Sequence, residues 1–143
     1  MREGEFWRRV ARGMAGRWSA CRHEDTTRSG VPDVSFGLGG RQGWVELKVL
    51  PRWPRPETPV KMAHFTQLQR VWLVERGRAG GRCFLLLGVE RDALLLPWRA
   101  IELRDERTLG ELAAVGLLWR SHIDWTKLAE SLRTDLGAEP TRR

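Results

Sequence analysis

The sequence predicts an α/β fold in which a mixed central sheet of about four strands is flanked by helices, with extra helices at the C-terminal end. Three observations predict it. An amphipathic helical pattern opens the chain, short apolar runs typical of strands follow in two pairs, and helical patterns lie between those pairs and after them. The 143 residues suffice for a single domain, with a core at about 3–100 and a C-terminal helical extension at about 108–137.

The first half of the sequence indicates a helix followed by a β-hairpin. The polar segment 21–30 predicts a loop, or a short strand and then a loop. Strand-like runs at 31–38 and 44–50 are separated by the turn-forming letters GGRQG, which is a hairpin signal. Four prolines make 51–59 a connector, because proline has no amide hydrogen to donate to a sheet. Apolar residues recur at helical spacing over 3–18, at Phe6, Trp7, Val10, Ala11, Met14 and Trp18.

The second half indicates another helix, two buried strands and then two more helices. A helix is expected over about 64–76, and the apolar runs 83–89 and 93–98 predict strands joined by the turn ERD. A capping box of Thr and Glu opens a helix over about 108–118, and a last helix covers 125–136 and stops at a glycine. The residues expected to face inward from the 64–76 helix are Phe65, Leu68, Val71 and Trp72.

Composition favours a nucleic-acid partner and an intracellular protein. With 25 basic and 18 acidic residues the formal net charge is +7, and basic side chains on phosphates release counterions and add affinity. No run of about 18 apolar residues occurs and the N-terminus is charged, so we expect a cytoplasmic protein without membrane contact. Cys21 and Cys83 lie far apart without zinc-site spacing, which predicts free thiols.

The residues that indicate chemistry are Asp33, Glu46 and Lys48. Glu46 and Lys48 are two apart in a strand, so both side chains leave the same face of the sheet, while Val45 and Leu47 leave the other. A hairpin through GGRQG would set the strand of Asp33 beside that of Glu46. Clustered carboxylates repel one another unless a cation lies between them, and their hard oxygens suit Mg²⁺, or Mn²⁺ in its place. Such a cation with a lysine beside it is the outline of a phosphodiesterase site.

Pro32-Asp33 followed by Glu46-Leu47-Lys48 resembles the PD-(D/E)XK signature of a nuclease superfamily that includes restriction enzymes and Holliday-junction resolvases. The stretches SGVPDV and WVELK are most similar to the small VRR-NUC and archaeal resolvase-like phage or repair nucleases. The resemblance spans the first helix to about Trp98 and implies a restriction-endonuclease-like fold. It also implies a Mg²⁺-dependent DNA endonuclease, with branched DNA as one class of substrate.

The resemblance also implies roles for single residues. Asp33 and Glu46 would be metal ligands, with the Leu47 carbonyl as a further ligand. Lys48 would be the catalytic lysine, and Gln69 in FTQLQRVWL matches a glutamine that belongs to the site in this branch.

Family members often carry another acid on the first helix, for which Glu3, Glu5 and Glu24 are the candidates. At about 100° per residue Glu3 points along the face of Phe6 and Val10, whereas Glu5 points away. We therefore expect Glu3 to be the site residue. Whether Glu24 belongs to the site stays open, because it lies in a polar loop that the sequence does not place.

Basic residues around this core could hold DNA phosphates, although a solvated surface role is the ordinary one for any single charge. The candidates are Arg22, Arg28, Arg41 and Lys61.

Two other functions stay open at this stage. One is a DNA-binding subunit that keeps the nuclease fold but does not cut, and the other is a basic module that binds an acidic protein. The apolar stripes of the C-terminal helices could also pair two subunits as a homodimer.

Overall fold

The computed structural model describes residues 1–23, 30–62, 64–101 and 106–136. The helices are α1 (Glu3–Met14), α2 (Gln67–Arg78), α3 (Trp98–Ile101), α4 (Leu109–Val115) and α5 (Trp125–Thr134). The strands are β1 (Ser19–Arg22), β2 (Val34–Leu38), β3 (Arg41–Leu50), β4 (Arg82–Val89), β5 (Asp92–Pro97) and β6 (Leu117–Trp119).

The strands form one mixed sheet in the order β1-β2-β3-β4-β5-β6. Among the described strands, β3 and β4 pair in parallel and are joined through α2, and the other neighbours pair antiparallel. The β2–β3 turn is Gly39-Gly40, whose φ values of 56° and 77° match the left-handed conformations of a two-residue hairpin turn. The α/β class and the mixed sheet are confirmed, but the described sheet has six strands rather than four.

The two additional strands lie at the edges of the sheet. β1 is short and mostly exposed, so it lacks the apolar alternation that marks a strand in a sequence. β6 occupies residues that the sequence pattern had included in the 108–118 helix. That helix ends early, at Val115, because Gly116 is in an extended conformation and the chain then pairs with β5.

Helices cover both faces of the sheet and make two apolar cores. On one face α1 and α5 pack on side chains such as Phe84 and Leu86 of β4, and on the other α2, α3 and α4 pack on Leu85 and Leu87. The strand alternation therefore divides β4 between both cores. The apolar residues Leu128 and Leu132 of α5 are buried in the first core, so the stripe of this helix is covered within the chain, and a homodimer stays a prediction.

The first two helices differ from the sequence pattern at their ends and on one face. α1 stops at Met14, and Gly16 beyond it has a φ of 78°. α2 begins after Thr66, and its buried residues are Arg70, Leu73 and Gly77. The expected inward positions of Leu68 and Val71 are wrong, since both are exposed.

The proline-rich connector is fixed to the sheet by Trp53. Its indole N–H donates a hydrogen bond of 2.8 Å to Asp92 at the start of β5. Asp92 also accepts hydrogen bonds from Arg120 and from the backbone of Ser121. One carboxylate thus ties the connector to the loop that precedes α5.

Both cysteines are free thiols, as predicted, with Cys21 exposed and Cys83 buried. Burial raises the pKa of Cys83 to about 12. In the described ranges, every helix is too short or too polar to cross a membrane.

Candidate active site

The candidate site lies where β2 stops and β3 continues. The β2–β3 ladder ends at the pair of Val34 and Val45, whereas β3 runs on to Leu50 with β4 as its neighbour on the other side. Among the described residues, no strand continues the ladder beside 46–50. The backbone groups on this edge of β3 therefore need other partners.

Two carboxylates supply partners at this point. The backbone N–H of Asp33 donates to Glu46 Oε1 at 3.1 Å, and Asp33 Oδ2 accepts from the backbone N–H of Leu47 at 3.0 Å. The N–H and C=O of one strand residue point to the same side, so the Leu47 carbonyl faces this edge as well. The backbone N–H of His23 donates to the Asp33 carbonyl at 2.6 Å, which fixes Asp33 from the β1 side.

Lys48 completes a compact charged cluster. The side chains of Glu46 and Lys48 share a face of β3, while Val45 and Leu47 belong to the core on the other face, as the alternation predicted. Lys48 Nζ lies 3.1 Å from Glu46 Oε2 and 3.8 Å from Glu3 Oε1. Glu46 is 1% exposed and Lys48 is 7% exposed, so this ion pair is shielded from water.

The electrostatics of the cluster favour an added positive charge. Burial raises the pKa of Glu46 to about 8; the negative charge of Asp33 raises it too, and Lys48 opposes the rise. Burial also raises the pKa of Glu3, again against the effect of Lys48. A cation at this position would relieve the repulsion between carboxylates and favour their ionised forms.

The donor set fits a hard divalent cation such as Mg²⁺. Glu46 Oε2 is buried with Lys48 Nζ at 3.1 Å, and one oxygen of Asp33 lies outside its bond to Leu47. Within the described ranges, no three His, Cys, Asp or Glu side chains group together as a metal site. A cation could therefore take two carboxylates, the Leu47 carbonyl and water, which suits the preference of Mg²⁺ for keeping several waters.

The structure brings Glu3 to the cluster. Its carboxylate at the start of α1 lies 3.8 Å from Lys48 Nζ, and its side chain is 39% exposed. Glu5 is exposed on the same helix, in keeping with its outward direction, whereas Glu24 lies outside the described residues. Of the two acids that the structure describes, the geometry favours Glu3.

Gln69 caps α2. Its side-chain oxygen accepts from the backbone N–H of Thr66 at 2.9 Å, and its own backbone N–H donates to the Thr66 hydroxyl at 3.2 Å. In the described part of the chain, no hydrogen bond joins Gln69 to the carboxylates. The T-x-x-Q spacing is the sequence signal of this capping box. Gly30, with a φ of 92°, lies so close to the Leu68 carbonyl that a Cβ there would approach it to 2.8 Å, so the first turn of α2 still lies beside the segment leading to Asp33.

A cavity of about 680 Å³ opens beside the cluster. Lys48, Glu3, Lys61 and His64 are among the residues that line it. The expected phosphate-binding residue Lys61 thus lines the same cavity as Lys48. Arg22 lies near enough to Glu3 for its charge to lower the pKa of that carboxyl, which burial raises.

Of the other two expected phosphate-binding residues, Arg41 is not among the described residues that line this cavity. Arg28 lies outside the described residues. Arg41 is the first residue of β3, and five residues at ~3.3 Å each put it about 17 Å along the strand from Glu46. Arg41 therefore does not lie beside the catalytic core, and its role as a phosphate contact stays a prediction.

Sequence reasoning missed the groove to which Arg41 belongs. There, Trp44 of β3 lies beside Arg76 of α2, whose guanidinium carbon is 4.9 Å from the centre of the Trp44 ring. The two residues are 32 positions apart, and no local spacing links them. Only the packing of α2 on the sheet brings them together.

Comparison with known proteins supports the fold. No protein-family model matches the sequence, and a search of curated proteins finds no match. Among solved structures, the chain is similar to Archaeoglobus fulgidus Hjc, a Holliday junction resolvase from an archaeal hyperthermophile. The TM-score is 0.62 at 19% sequence identity, and the match covers 90% of this chain and 98% of the other. At this identity the likeness concerns the fold, and the chain has the restriction-endonuclease-like fold of that resolvase.

Proposed function

We propose that this protein is a Mg²⁺-dependent endonuclease that hydrolyses phosphodiester bonds in DNA. The observation that carries the proposal is the meeting of Asp33, Glu46 and Lys48 at the open edge of β3. Each carboxylate holds a backbone amide of the neighbouring segment, so both are fixed before any ligand arrives. Preorganised charges of this kind are what a hydrolytic site needs.

A divalent cation held by Asp33 and Glu46 would polarise a phosphoryl oxygen and activate water for attack on phosphorus. The residues of the chain do the remaining work. Lys48 Nζ, 3.1 Å from Glu46, is placed to donate a hydrogen bond to the scissile phosphate or to orient the attacking water. Water adds to phosphorus and the bond to the leaving oxygen breaks, which leaves a phosphate end and a hydroxyl end. Glu3, with Oε1 3.8 Å from Lys48 Nζ, can help to orient that ammonium group.

The proposed substrate is DNA, and branched DNA is the first form to test. A net charge of +7 favours a polyanion, and Lys61 and His64 extend the cavity beyond Lys48 with groups that can contact phosphates. The solved relative is a Holliday junction resolvase. We therefore place the four-way junction first, ahead of flaps, nicked duplexes and linear DNA.

The test is a cleavage assay with purified protein on labelled four-way junction, flap, nicked duplex, linear duplex and single-stranded DNA. Each substrate is incubated with Mg²⁺, Mn²⁺, Ca²⁺ or EDTA, and Glu46→Gln is the matched control. Cutting that needs Mg²⁺ or Mn²⁺ and is lost in the variant supports the proposal. Tight DNA binding without cutting under any condition would favour a non-cutting DNA-binding subunit. Absence of both would favour a module that binds an acidic protein.

A further inference from the structure

A second groove lies at the other end of β3, outside the candidate active site. Its volume is about 460 Å³, within the range of ~300–1,000 Å³ that is usual for ligand pockets. The α2–β4 turn forms one wall and the start of β3 the other. We call it the arginine–tryptophan groove, and its lining includes Arg41, Trp44, Arg76, Gly80, Gly81 and Arg82.

The charge of this groove is positive and largely uncompensated. No acidic side chain is among its described lining residues. In the described ranges, neither Arg41 nor Arg76 has a carboxylate partner. Arg82 is held in place by Asp135 at 3.6 Å and by the Arg133 carbonyl at 3.3 Å. The groove thus combines one fixed arginine with two whose donors are available to an anion.

Aromatic rings hold Arg76 in position. Its guanidinium carbon lies 4.9 Å from the centre of the Trp44 ring and 4.7 Å from that of Trp72. Stacking of this kind uses the flat face of the guanidinium and leaves the N–H groups at its edge free to donate. Trp44 also lines the groove itself, so a flat apolar surface lies next to the arginines.

Stabilisation of the C-terminal end of α2 does not by itself explain why these arginines and Trp44 lie together. An arginine in the last turn of a helix interacts favourably with the helix dipole, and Arg76 occupies such a position. That role explains neither Arg41, which lies on β3, nor the exposure of Trp44 to the groove. Three arginines beside an aromatic ring are instead typical of sites that bind unpaired nucleotides.

We propose that the arginine–tryptophan groove binds a single strand of nucleic acid. Arg41 and Arg76 contact its phosphates, and one base packs against Trp44. A single strand fits better than a duplex, because bases inside a duplex are stacked on one another and are not free to pack against the ring of a protein side chain. Arg41 is about 17 Å along β3 from Glu46, so the groove can hold DNA outside the active site. This binding does not require that the protein cut DNA.

The test measures binding of a fluorescein-labelled 12-residue oligothymidylate to the full chain by fluorescence anisotropy in EDTA. Arg41 is exposed, so Arg41→Glu changes charge with little risk to folding. Arg12→Glu makes the same change on the exposed part of α1 and is the matched control. We expect Arg41→Glu to weaken binding at least about tenfold more than Arg12→Glu. Equal effects of the two variants would overturn the proposal.

A second comparison tests the base contact. An abasic strand of the same length carries the same phosphates, so the wild type should prefer the oligothymidylate by roughly tenfold, the effect of one stacked base. Trp44→Leu should remove this preference, and thermal unfolding checks that the variant is folded. If Trp44→Leu does not fold, the wild-type preference alone decides, and equal affinity for both strands overturns the base contact. Tighter binding of duplex than of single strand would overturn the choice of ligand.

The result is independent of nuclease activity. The oligothymidylate measurement is made in EDTA and reads binding alone, and neither Glu46 nor Lys48 is among the residues that line the groove. Failure of the cleavage assay therefore leaves this proposal standing. Conversely, a negative result for single-strand binding in the groove would not contradict the proposed nuclease activity.

Discussion

The carboxylates of Asp33 and Glu46 each accept a hydrogen bond from the backbone of the other residue's segment. The Asp33 amide donates to Glu46 Oε1, and the Leu47 amide donates to Asp33 Oδ2. These two side-chain hydrogen bonds take the place of the β2–β3 backbone ladder beyond the end of β2. The same carboxylates are the proposed metal ligands. Their structural and chemical roles can be separated with amide substitutions, which keep an oxygen acceptor and remove the charge.

Asp33→Asn should keep the fold and lose cleavage. Its amide oxygen can still accept the Leu47 N–H, so we expect a free energy of unfolding close to that of the wild type and a cleavage rate lower by at least about a hundredfold. Asp33→Ala should lose activity and in addition be destabilised by about 1–3 kcal/mol, because a partly buried amide loses its acceptor. Urea unfolding and single-turnover cleavage measure the two effects. Glu5→Gln, an exposed acid on α1, should change neither; full activity of Asp33→Asn would contradict the assignment.

Lys48→Met should separate binding from cleavage. Methionine keeps most of the length of the side chain without its charge, so DNA binding supported by Ca²⁺ should remain near the wild-type level. Cleavage at saturating enzyme should fall by roughly a hundredfold or more. Lys61→Met is the matched control, expected to weaken affinity more than rate. If Lys48→Met lost binding in proportion to its rate, Lys48 would be a phosphate anchor.

Without metal, the protein should become less stable as pH rises from about 4.5 to about 8. Glu46 has a pKa of about 8 in the fold against an ordinary pKa of 4.5, so between these values the folded state holds a proton that the unfolded state has released. The free energy of unfolding then falls by at most about 1.4 kcal/mol per pH unit. The fall ends above the folded pKa. Asp33 and Lys48 are the charges that face Glu46 and act in opposite directions on its pKa.

Two comparisons check this pH dependence by urea unfolding between pH 5 and 9. Glu46→Gln should flatten the curve, because the group no longer titrates. Added Mg²⁺ should raise stability most at high pH, because it favours the carboxylate form. A metal-free wild type whose stability rises across this range would contradict the prediction.

DNA binding should weaken steeply with salt. Each phosphate contact contributes about 0.9 to the slope of log affinity against log salt for duplex DNA. The non-cutting Glu46→Gln variant allows this titration on a four-way junction, and adding Lys61→Ala to it should lower the slope by about one. A slope near zero would favour a protein partner instead.

The centre of the fold and the candidate site could be predicted because their signals are local. Glu46 and Lys48 are two residues apart in an apolar strand, and the two glycines of the hairpin fix how Asp33 approaches them. These relationships depend on strand alternation and turn geometry, which neighbouring residues decide. The likeness to a solved resolvase then confirms the fold.

The remainder depends on contacts that are distant in sequence. α2 carries apolar residues around much of its circumference, and its buried face is set by its neighbours: Gly77 lies so close to Trp98 that a Cβ would approach the ring to 2.3 Å. Because these neighbours decide which face of α2 is buried, Leu68 is exposed. β6 is a strand only because β5 offers it an edge. The distance of Arg41 from Glu46, by contrast, could have been read from the rise of a strand.

The difference in length between β2 and β3 also bears on how the molecule avoids self-association. Where β3 extends beyond β2, an open strand edge would invite another chain to add to the sheet. At Leu47 the amide that would receive such a strand is already bound by Asp33, and the buried charges of Glu46 and Lys48 oppose a dry covering layer. The carboxylates proposed for catalysis therefore also protect this edge from aggregation, and their replacement by apolar residues removes that protection together with the chemistry.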